Sequence, residues 1–69
     1  MARAKEIEKA IIAQEGILLD GVALARVLGC RRETASRWAK ANGVERLGSP
    51  AKYFSGDVAR AIVNGGMRN

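Results

Sequence analysis

The chain has no histidine, one cysteine, one proline and one each of tryptophan, tyrosine and phenylalanine among its 69 residues. Each scarcity excludes something. Without histidine the commonest general base and the commonest nitrogen ligand for metals are both missing, so neither a metal site nor a cofactor is expected. A single cysteine cannot close an intrachain disulfide, which fits a reducing, cytoplasmic setting. No apolar run is long enough to span a bilayer and no signal-peptide pattern opens the chain, so no membrane partner is expected. The phosphate-cradling pattern GxxxxGK[ST] is absent. Glu6 and Glu8 lie two apart on an expected helix and do not face each other as a catalytic pair would. Together these absences argue against an enzyme.

What is present suits one small packed domain, 1–69, with 48% hydrophobic residues. A core of this size is marginal, so the helices must share their apolar faces efficiently. The chain looks too short to add an effector or catalytic domain. Its formal net charge is +5, and the location of that charge is more telling than its size. Residues 26–40 hold five basic residues against one acidic, a net +4, whereas residues 1–15 are balanced. Positive charge clustered in this way suits a phosphate backbone.

Apolar spacing and turn chemistry divide the chain. An N-terminal helix is expected within 1–15, from Ala2 to about Gln14, with Ile7, Ile11, Ala4 and Ala10 on one face and Gly16 ending it. Ile17-Leu18-Leu19 leads into Asp20, an N-cap for a second helix over Gly21 to Leu28, with a leucine before the cap placed to staple its entry. Gly29 supplies the turn. A third helix follows from Arg32 to Ala41 and stops at Asn42-Gly43. Residues 44–54 read as a small β-wing, with arms Val44–Leu47 and Lys52–Phe54 around Gly48-Ser49-Pro50. Ser55 is placed to cap a last helix within 55–63, with Asp57 in its first turn. Residues 64–69 read as a frayed tail after Gly65-Gly66.

The segment 19–43 has the spacing of a helix-turn-helix. Ala25 is small where two helices cross, Gly29 bends the chain four residues later, and Leu24, Leu28, Ala35 and Trp38 are spaced to pin the helices together. On the third helix Ala35, Trp38 and Ala39 point inward. Glu33, Ser36, Arg37 and Lys40 recur at three- and four-residue spacing on the outside. Such a stripe fits the major groove of duplex DNA. Arg37 is the first choice for a bidentate contact to guanine, Ser36 reaches a base edge or a phosphate, and Glu33 can accept from a cytosine amino group. Arg32 joins them as a base-reading candidate. Arg31 stands where a Ser, Thr, Asp or Asn would cap the third helix. With Arg32 it puts positive charge at the positive end of the helix dipole, a conflict that a nearby phosphate would relieve. Arg26 and Lys40 are further phosphate candidates. Trp38 and Tyr53 read as packing residues, and Phe54 is grouped with them. Cys30, although followed by two arginines, reads as a buried small residue rather than a redox sensor.

Leu19-Asp20 through Trp38-Ala39-Lys40, then Lys52-Tyr53 and Asp57-Val58, resemble the MerR-type winged helix-turn-helix, above all the small stand-alone kind found in excisionases and BldC-like regulators. The likeness spans Leu19 to Ile62. It implies a mainly α fold with a β-hairpin wing, and contacts from Lys52 and Arg46 in that wing to the minor groove or its phosphates. The chain differs in having one clear basic residue at the wing tip and an extra N-terminal helix. The expected partner is double-stranded DNA, bound as a transcriptional regulator or an excisionase-type architectural factor in the nucleoid. One module reads few base pairs, so a homodimer or cooperative neighbours are expected with it. A protein-interaction module is the alternative, with Arg37 and Lys40 meeting an acidic partner and the Ile7/Ile11 stripe as the hot surface. Single-stranded RNA binding would need exposed aromatics for stacking.

Overall fold

A computed structural model describes residues 3–66. The chain is mainly helical. Helix α1 (Arg3–Glu15) is followed by a short strand β1 (Leu18–Asp20), helices α2 (Gly21–Leu28) and α3 (Arg32–Ala41), strand β2 (Lys52–Phe54) and helix α4 (Ser55–Ala61), which runs into a π-helical turn, Ile62–Gly66. Ala2 and the tail residues Met67 to Asn69 lie outside the described residues.

Local chemistry sets the ends of α2 and α3. At the start of α2 the Asp20 carboxylate accepts a hydrogen bond from the Ala23 N–H at 2.8 Å. Both helices end in the same motif. Gly29 (φ 70°) and Gly43 (φ 70°) adopt the left-handed conformation that a side chain would strain. The following Cys30 and Val44 amides donate back to the Ala25 and Ala39 carbonyls at 3.0 and 2.9 Å. The α3 N-terminus has no side-chain cap among the described residues, and Arg31 sits at that position in extended conformation.

Leu19, Leu24, Ala35 and Val58 are completely covered, with Ala23, Ala25, Ala39, Tyr53 and Ala59 around them. Leu28, Trp38 and Cys30 are half-buried against this core. The small residues Ala25 and Ala35 let α2 and α3 approach closely. Helix α1 docks chiefly on α4. Of its expected inner face, Ile11 is buried in the core and Ile7 packs against it, Ala4 is half-buried, and Ala10 is exposed.

The sheet departs from the sequence-based expectation. Lys52–Phe54 is a strand, but its main partner is Leu18–Asp20, antiparallel, with Leu18 opposite Phe54, Leu19 opposite Tyr53 and Asp20 opposite Lys52. The expected first arm, Val44–Leu47, contributes one bridge, in which Leu47 and Lys52 exchange two backbone hydrogen bonds of 2.9 Å across the Gly48–Ala51 turn. The wing is therefore a one-bridge hairpin. The rest of the arm serves α3: the Val44 amide closes that helix and its side chain is buried in the core. Leu19 and Tyr53 face inward, while Leu18 and Phe54 are 48% and 44% exposed. Phe54 is thus a surface residue rather than a core one.

Ser55 also has a different role. It does not cap α4, whose cap position is Phe54. Its buried hydroxyl donates at 2.7 Å to the Gly16 carbonyl, 39 residues away, while its amide donates to the Ile17 carbonyl at 2.8 Å. These bonds fasten α4 to the segment between α1 and β1. Ser55→Ala leaves the Gly16 carbonyl without this donor in a covered site and is expected to cost about 1–3 kcal/mol. Thermal unfolding followed by circular dichroism checks this, and an unchanged melting temperature contradicts it.

Candidate nucleic-acid interface

The outer face of α3 forms one side of an open groove of about 620 Å³. Arg32, Glu33, Ser36 and Arg37 line it from the helix, and Arg46, Pro50, Ala51 and Lys52 line it from the wing. Asp20, Gly21 and Val22 contribute from the β1–α2 junction. A second groove of about 450 Å³ continues the surface toward the end of α3, with Lys40 and Glu45 along it. The two share Ser36, Arg46 and Tyr53. The fold thus brings the helical stripe and both basic wing residues, 46 and 52, onto one continuous concave surface.

The first groove holds four cationic side chains, Arg32, Arg37, Arg46 and Lys52, against two carboxylates, Asp20 and Glu33. Asp20 is fixed as an anion. The Ala23 N–H bonded to its carboxylate holds its pKa below the usual range, and the charges of Lys52 and Arg26 add to this. A surface with cationic donors and acceptor carboxylates can meet a partner that carries both phosphates and base edges.

Two basic candidates lie elsewhere. Arg31 is exposed at the start of α3 and lines neither groove. Arg26 is engaged by α1: its guanidinium makes a two-pronged pair with the Glu15 carboxylate, Nε to Oε2 at 3.0 Å and Nη2 to Oε1 at 2.9 Å. Arg26, a phosphate candidate by sequence, thus ties α1 to α2 through a side chain that stays 57% exposed. Nothing local in the sequence signals that pair, because its partners are 11 residues apart on different helices.

The Arg26 hydrogen bonds hold the Glu15 carboxyl below its usual range. A carboxylate whose folded pKa is depressed stabilises the fold above its unfolded value of about 4.3. That contribution disappears as pH falls through the lower folded value. Glu15→Gln is therefore expected to lower the melting temperature at pH 7 and to flatten its decline between about pH 5 and pH 3. Parallel melts of both proteins across that range check this, and superimposable profiles contradict it.

Sequence reasoning saw Asp20 only as a cap and did not place Gly21 or Val22 at the site. Their position depends on β1 pairing with β2, which local spacing does not encode. Among the described residues no group of three or more His, Cys, Asp or Glu side chains could hold a metal ion, and no helix is long and apolar enough to cross a membrane. Set against family models, curated proteins and solved structures, the chain matches none of them.

Proposed function

We propose that this chain binds duplex DNA with sequence preference, as a winged helix-turn-helix module of the MerR-like, excisionase or BldC-like kind. Support comes chiefly from one observation: the outward residues of α3 and the basic wing residues Arg46 and Lys52 line the same groove. Arg32, Glu33, Ser36 and Arg37 approach base edges. Lys40, Arg46 and Lys52 take phosphates on either side, and Arg31 takes one beside the start of α3. The biological role is that of a transcriptional regulator or an architectural factor of recombination, acting in the nucleoid. A single copy covers few base pairs, so useful specificity requires a second copy or cooperative neighbours on the DNA.

The interaction-module alternative loses its apolar hot surface, since Ile11 is 5% exposed and Ile7 packs against the core. Stacking on single-stranded RNA has one exposed aromatic to draw on, Phe54, with Tyr53 buried and Trp38 half-buried. Selection of bound sequences from a random duplex pool tests the proposal. A defined motif recovered over successive rounds is the expected result, and a pool that stays random overturns it.

A further inference from the structure

The stem of Arg32 lies across the first residue of α2. A Cβ added to Gly21 would stand 3.1 Å from Arg32 Cγ and 3.2 Å from Cδ, closer than ordinary van der Waals contact. Both residues line the larger groove. The Arg32 guanidinium has no hydrogen-bond or ion-pair partner among the described residues, in contrast to Arg26, which is held at both prongs by Glu15. Arg32 is therefore restrained along its stem and free at its head.

We propose that Gly21 is a positioning residue for Arg32, and that the pair makes Arg32 a specificity-determining contact of the interface. The absence of a side chain at Gly21 lets the arginine stem lie flat against the start of α2. That contact removes much of the stem's rotamer freedom before any partner arrives. The guanidinium then stands at the N-terminal end of α3, where residues of a recognition helix reach base edges, with its planar fork free for the N7 and O6 acceptors of guanine. Lysine would not substitute, because it has the stem without the fork. This inference rests on the DNA-binding proposal and adds to it how one base contact is aimed.

Gly21→Ala separates aim from stability. Gly21 is not in the left-handed conformation, so alanine fits its backbone and favours the helix. The Arg32 stem must move by a few tenths of an ångström, and the guanidinium at its end moves further. The melting temperature is expected to stay level or rise while affinity for the selected duplex falls about 3- to 10-fold, the scale of losing one pre-ordered side chain. Arg32→Ala is expected to cost roughly 10- to 100-fold, and adding Gly21→Ala to it should cost nothing more. Arg32→Met keeps a stem over Gly21 but lacks the fork. It is expected to match Arg32→Ala in affinity while melting like wild type, which tests the specificity-determining contact of Arg32 even if Gly21→Ala folds poorly.

If wild type binds no duplex, the DNA proposal and this inference fail together. If wild type binds but Gly21→Ala binds equally well, only the positioning role is overturned. The same follows if Gly21→Ala costs as much in the Arg32→Ala background as in wild type. If Arg32→Met binds equally well, the base contact assigned to Arg32 is overturned with it.

Discussion

Leu24→Ala is expected to remove a large share of the stability of the fold. Leu24 is fully covered on the inner face of α2, in one cluster with Leu19, Ala35 and Val58. Removing a buried leucine side chain costs about 2–5 kcal/mol, because the lost burial and the remaining cavity add together. A domain of 69 residues has roughly 3–10 kcal/mol to lose. The substitution therefore removes between a fifth and all of the stability, with little redundancy in so small a core. Circular dichroism melts should place the variant at least about 8 °C below wild type. Val22→Ala, on the same helix but 46% exposed, should melt close to wild type. Equal melting of Leu24→Ala and Val22→Ala would contradict the placement of α2's inner face.

The same core carries the proposed interface. Ala35 and Ala39 hold α3 against the domain, so its opposite face presents Ser36 and Arg37 outward. Tyr53, buried beside Leu19, anchors β2 and with it the adjacent Lys52. The position of Lys52 relative to α3 is thus set by strand pairing with β1, the segment that leads directly into α2. A core substitution that loosens Tyr53 changes the groove as well as the melting temperature.

The parts of this architecture legible in the sequence are those settled within a few residues. Asp20, Gly29 and Asn42-Gly43 mark helix ends by their own hydrogen bonding and dihedral preferences, and both ends of α2 and the end of α3 fall where these residues place them. The outward stripe of α3 follows from helical periodicity alone. Illegible features join distant segments. Leu18–Asp20 is three residues long, too short for an alternation signal, and becomes a strand only because Lys52–Phe54 lies beside it. Val44 looks like strand sequence but is claimed by the end of α3 and by the core. Ser55 looks like a cap but is claimed by Gly16. Arg26 looks like a phosphate ligand but is claimed by Glu15. In each case a residue with sound local chemistry is engaged by a partner that its own neighbours in sequence do not reveal. The proposed site is accordingly legible along α3 and not at the β1–α2 junction, where Gly21 meets Arg32.

Arg37→Ala and Lys52→Ala should weaken duplex binding in different ways, and the difference distinguishes a base contact from a phosphate contact. Four cations, Arg31, Lys40, Arg46 and Lys52, are assigned to phosphates. Neutralising about four phosphates gives a slope of log affinity against log salt near −3.6, a roughly 100-fold loss between 50 and 200 mM. Lys52→Ala removes one of these contacts. Its affinity should fall on every duplex alike, and its salt slope should become shallower by about 0.9. Arg37→Ala removes the bidentate base contact proposed for Arg37 instead. It should lose about 10- to 100-fold on the selected sequence, lose far less on unrelated duplex, and keep the wild-type slope. Both side chains are groove residues outside the buried core, so both variants should melt like wild type, in contrast to Leu24→Ala. Fluorescence anisotropy titrations at four salt concentrations, on the selected duplex and on a scrambled one, give all the slopes and affinities required. Equal losses on both duplexes for Arg37→Ala would move that residue from base reading to phosphate contact. An unchanged slope for Lys52→Ala would remove the wing from the interface and leave α3 to bind alone.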